Sequence, residues 1–179
     1  MSRYRKIALR ALADGLTDLM RDWLIRAHAG DARAFFVRAT YEMIEIGNEH
    51  MARKSNTKHA AFSRNGKAGG NDVHWANFKF TSEEIALVIE TASDVPGLML
   101  EVAKLLTDGC DLTIKRNLER NNFSAFIIVQ GGDDSSERRG ISAFATTGID
   151  ALAAVCLKYH IGKSSPDRFT FTSNGVGIG

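Results

Sequence analysis

The chain has 179 residues, 44% of them hydrophobic and 25% charged, the balance of an ordinary globular protein, so wholesale disorder is excluded. It has no run of about 18 uncharged apolar residues, and Asp14, Asp18 and Asp22 interrupt the segment behind the basic N-terminus. A membrane span, a secretory signal and a mitochondrial presequence are therefore not expected, and the cytoplasm is the expected location.

Net charge is +2, unevenly laid out. Residues 1–69 hold 13 Lys/Arg against 7 Asp/Glu, and residues 70–179 hold 10 against 14. A basic front on an acidic back suits polyanion binding and, equally, head-to-tail self-association.

Residues 3–28 read as a helix, with Ile7, Leu12, Leu16, Leu19 and Trp23 among its apolar positions near the 3.6 period. Gly30 ends it and Asp31 is placed to cap a second helix running to about Met51, with Phe35, Phe36, Ala39, Met43 and Ile44 inward. The short connection predicts a helical hairpin. Its apolar surface exceeds what two helices bury, so Leu16 and Trp23 are expected to serve self-association and the chain to form a homo-oligomer.

Residues 52–74 change character. Arg53, Lys54, Lys58, Arg64 and Lys67 occur with no acid until Asp72, among glycines and without hydrophobic periodicity, which reads as a basic linker. From Trp75 the pattern resumes, with Phe78 and Phe80 alternating as in a short extended segment. Thr81 with Glu84 forms a capping box, and Asp94-Val95-Pro96 restarts a helix that Gly109 stops.

Three strands are expected next: around Leu112 and Ile114, over Phe123 to Val129, and around Ile141 to Ala145. Phe126 and Ile128 make the second strand apolar on both faces, so it is expected to be central or covered twice. A last helix from near Thr147 buries Ile149, Leu152, Ala153 and Cys156. The expected fold is α+β: an N-terminal helical hairpin followed by an α-α-β-β-β-α unit with a three-stranded antiparallel meander. The expected organisation is a hairpin over 1–51, a linker over 52–74, an α+β domain over 75–161 large enough to fold alone, and a tail over 162–179.

The stretches GCDLTIKRNLERNNFSAFIIVQG and GISAFATTGIDALAAVCLKYH resemble the C-terminal units of small uncharacterised phage-encoded proteins. They share a glycine before the first strand, a charged turn before an aromatic, and a helix holding Ala-Leu with a late Lys-Tyr. The resemblance covers about residues 75–161, implies a phage origin and carries over no active site. The α-β-β-β-α order is also similar to a double-stranded-RNA-binding domain. That family places a Lys-rich motif at the start of its last helix, where this chain reads Thr146-Thr147-Gly148-Ile149-Asp150.

Catalytic chemistry finds little support in the residues. His28, His50, His59, His74 and His160 lack zinc-site spacing, and no metal or cofactor is expected. Cys110 and Cys156 sit in apolar patterns and read as buried thiols in a reducing compartment, although His160 stands four residues from Cys156. Asp111, Glu119, Asp133 and Asp134 lack the acid-x-Lys partner of a nuclease strand. The basic stretch is the stronger feature. Arg53, Lys54, Lys58, Arg64 and Lys67 can neutralise phosphates whatever the sequence, and Phe62 and Trp75 are of the type that stacks on bases, Trp75 otherwise reading as core. The expected function is that of a non-enzymatic accessory protein binding DNA or RNA without sequence preference. A self-assembling structural protein is the alternative.

Overall fold

A computed structural model describes residues 1–14, 22, 26, 30–58, 73–130 and 138–172, with 50–58 and 130 by backbone alone. Helix α1 spans Arg3–Asp14 and α2 spans Ala32–Lys58. The two pack together through small and aromatic residues. Ala8 and Ala11 are buried, and the Tyr4 and Phe35 ring centres stand 5.3 Å apart. Arg5 fastens the pair from outside, 2.6 Å from Glu49 and 3.8 Å from Glu42. The N-terminal helical pair expected from the sequence is present; the continuation of its first helix to residue 28 lies outside the described residues, as do Leu16 and Trp23.

Helix α2 does not stop near Met51 but continues to Lys58, into the expected linker. Strand β1, Val73–Asn77, begins before that linker ends. Helix α3, Ser82–Ser93, carries the expected capping box: Glu84 N–H donates to Thr81 Oγ1 at 3.3 Å, and Thr81 N–H to Glu84 Oε2 at 2.8 Å. Asp94 then caps α4, Val95–Thr107, accepting from Gly97 N–H at 3.2 Å. Gly109 ends α4 with φ +85°, a left-handed conformation costly for other residues, and lets Cys110 N–H reach Leu105 O at 3.0 Å.

Strands β2, Asp111–Asn117, β3, Asn122–Gln130, and β4, Arg138–Ala145, form the expected antiparallel meander. Helix α5, Gly148–Ser164, follows. The meander is part of a larger sheet, of order β2-β3-β4-β1-β5, in which β1 runs parallel to β4 and β5, Thr170–Thr172, runs antiparallel to β1. The two added strands are short, and neither shows a period-2 run long enough to read. The residues expected as a tail supply the last turn of α5, a 3-10 turn over Pro166–Arg168, and β5.

Strand alternation gives each sheet face its own residues. Leu112, Ala125, Ile127, Ile141 and Ala143 point to one face and are buried there against α5 and its neighbours. Phe36 and Met43 of α2 lie in the same cluster as Leu98 and Val102 of α4, fully buried, each contributing ~2–3 kcal/mol by removal from water. One core thus spans the N-terminal helices and the sheet. Chain order suggests a boundary at 52–74, but apolar packing runs across it.

Candidate nucleic-acid interface

The face of the sheet opposite the core can be read off the register. Lys115, Ser124 and Phe144 form one cross-strand row, and Thr113, Phe126 and Ser142 the next. Asp111, Ile128, Gly140, Trp75 and Thr172 form a third, running through all five strands. None of Trp75, Phe126, Ile128 and Phe144 belongs to the core cluster, and every described helix that touches the sheet packs on the core side. Among the described residues this face has no covering layer. Strand β3 is central, as expected from its two apolar faces, but its second face is not buried under a described element.

Three rings meet on this face. The Trp75 and Phe126 ring centres are 5.6 Å apart at 72°, and those of Phe126 and Phe144 are 6.4 Å apart at 85°, both edge-to-face. Phe144, next to the last residue of β4, is 41% exposed, so its ring meets solvent. Gly140 makes room for Trp75: a Cβ on it would stand 2.7 Å from Cε3 of the indole and 2.8 Å from Cζ3. The indole therefore lies over the β4 backbone and reaches Phe126 on β3. The nearby polar residues are Thr113, Ser142 and the exposed Lys115, together with one ion pair in which Arg138 meets Asp111 at 3.4 Å. Asp111 is the sole acid among these rows, and Arg138 neutralises it.

Of the residues expected to hold phosphate, Arg53, Lys54 and Lys58 fall in the last two turns of α2, while Arg64 and Lys67 lie outside the described residues, as does Phe62. The strand that follows this stretch, β1, carries Trp75 onto the open face rather than into the core. Phe126, Phe144 and Gly140 are not among the residues that the sequence marks as a site. The available signals were an aromatic at the outward position of each of two adjacent strands, and a glycine inside a strand, which marks close approach of another group.

Among the described residues the catalytic candidates are each placed with other partners or buried. Burial pushes the Cys156 thiol up to about 12 and raises that of Cys110, the opposite of what a nucleophile needs. His160 Nε2 meets Glu101 at 3.1 Å. Asp111 is held by Arg138, Glu119 sits in the β2–β3 turn, and Asp133 and Asp134 lie outside the described residues. A cleft of about 190 Å³ between α5 and the sheet, with Arg139 and Lys163 among its lining residues, opens on the helix side, away from the ring-bearing face.

Fold and face together define an α+β protein with its described helices on one side of a mixed sheet and aromatic side chains on the other. Comparison with family models, with curated proteins and with solved structures finds no match to this chain. No described helix is long and apolar enough to cross a membrane.

Proposed function

We propose that this is a non-enzymatic accessory protein that binds nucleic acid, DNA or RNA, without sequence preference. The observation that carries the reading is the position of the basic stretch. Arg53, Lys54 and Lys58 close α2, Arg64 and Lys67 follow in the sequence, and the next strand, β1, carries Trp75 onto a sheet face that no described element covers, near Arg138 on β4. Phosphate charge is common to every nucleic acid, so contacts from these cations carry no sequence information. Release of condensed counterions makes such binding strongly salt-dependent.

Fluorescence anisotropy with labelled oligonucleotides at several salt concentrations tests this. Affinity should fall with salt by about 0.7–0.9 log units per log unit of salt for each phosphate neutralised. Replacing Arg53, Lys54 and Lys58 together with alanine should flatten that slope and weaken all sequences alike. Absence of binding at low salt removes the reading. The apolar face, which no described element covers, would then favour self-assembly, which light scattering on the protein alone measures.

A further inference from the structure

We infer that the ligand is single-stranded, and that its bases stack on the rings of the open sheet face. This rests on the nucleic-acid reading and goes further, because phosphate contacts alone do not distinguish a single strand from a duplex. The rings do. In a duplex the faces of the bases are covered by their neighbours, and a flat sheet enters neither groove far enough to reach them. In a single strand each base exposes a π-face to any aromatic surface.

Trp75, Phe126 and Phe144 supply that surface across three adjacent strands, each in contact with the next. Phe126 stands edge-to-face against both Trp75 and Phe144. Phe144 is the accessible end of the series. Lys115 shares a cross-strand row with Phe144, one strand beyond Ser124, which puts a cation where the phosphate of a stacked nucleotide would run.

Charge argues against a second copy of this chain as the occupant. Asp111 and Arg138 pair with each other, which leaves Lys115 as the net charge of these rows, so two such faces carry the same sign. A polyanion meets Lys115 favourably. Gly140 is a positioning residue here: it touches no ligand, but any side chain on it would displace the Trp75 indole.

The test uses the full-length protein, a labelled homothymidine oligonucleotide, and a blunt hairpin duplex of matched charge. The single strand should bind at least tenfold more tightly than the duplex, and Trp75 fluorescence should be quenched on binding in a Trp23→Phe background. Phe144→Thr, at an exposed strand position, and Trp75→Ala should each weaken single-strand binding by about five- to one-hundred-fold and leave duplex binding unchanged. Circular dichroism and a melting curve establish that each variant is folded, and Trp75→Phe should restore most of the affinity.

Equal affinity for single strand and duplex, or a folded Phe144→Thr variant that binds like the parent, overturns the inference and leaves the general reading standing. No binding of either probe at low salt overturns both. A dimer in light scattering that Phe144→Thr dissociates assigns the face to a second copy and also overturns the inference.

Discussion

The Trp75 indole occupies the space over Gly140 that a β-carbon would fill, with two ring carbons 2.7 and 2.8 Å from that position. Strands β1 and β4 are thereby matched through one aromatic and one glycine, and the match sets where the ring meets Phe126. Gly140→Ala should force the indole aside or push β1 from β4, costing about 1–3 kcal/mol of stability as overpacking does. A shift in Trp75 emission with Trp23 replaced by Phe, together with a lower denaturant midpoint, is the expected result. Unchanged emission and stability would mean that the indole has another place to go.

The shared core makes a second prediction. Phe36, Ala39 and Met43 of α2 are fully buried in one cluster with Leu98, Met99 and Val102 of α4. A fragment beginning at residue 72 would expose that face of α4. It should lack cooperative thermal unfolding and give poorly dispersed proton–nitrogen spectra. A dispersed spectrum with a sharp melt would show that the chain from residue 72 folds without the N-terminal helices.

Both thiols should resist modification. Cys110 and Cys156 are 3% and 2% exposed, and the Cys156 pKa stands at about 12. Thiol-specific labelling in native buffer should be slow at pH 8 and accelerate on unfolding. The linkage has a definite sign. A thiol whose folded pKa lies above the ordinary value near 9 contributes stability that is present below pH 9 and fades as pH rises toward 12. Fast labelling of the native protein would show that the site opens.

Glu84 links two segments far apart in the chain. It closes the capping box with Thr81 and pairs with Arg168, whose Nη2 lies 3.1 Å from Oε2. The Arg168 guanidinium stands over Phe78, and the Phe78 ring stacks on Phe169 at 4.6 Å. The Arg168 hydrogen bond, more than any other contact, lowers the Glu84 pKa below the ordinary carboxylate value of 4.5. Its contribution is present above that value and is lost as pH falls through the lowered one. Glu84→Gln should therefore lower the melting temperature at neutral pH and flatten its decline in acid. Melting curves between pH 3 and 7 measure both, and parallel curves for the two proteins would show that the pair adds nothing.

Local rules wrote much of this molecule into the sequence. The Thr81–Glu84 box, the Asp94 cap with Pro96, the Gly109 stop and the inward residues of the meander each follow from a few neighbouring residues and a fixed period, and all stand in the structure. The α+β class follows from their order. Tertiary structure decided what depends on partners distant in sequence. Strands β1 and β5 are too short to declare themselves and exist through pairing with β4 and with each other. The ring-bearing face follows from the same cause. Phe126 and Phe144 alternate with core residues, and a sequence cannot say whether a strand's second face will be covered. That depends on where every helix goes, and each described helix that touches the sheet takes the side of Leu112, Ile127 and Ile141. With that side filled, Trp75 is left on the other, where Gly140 gives it room.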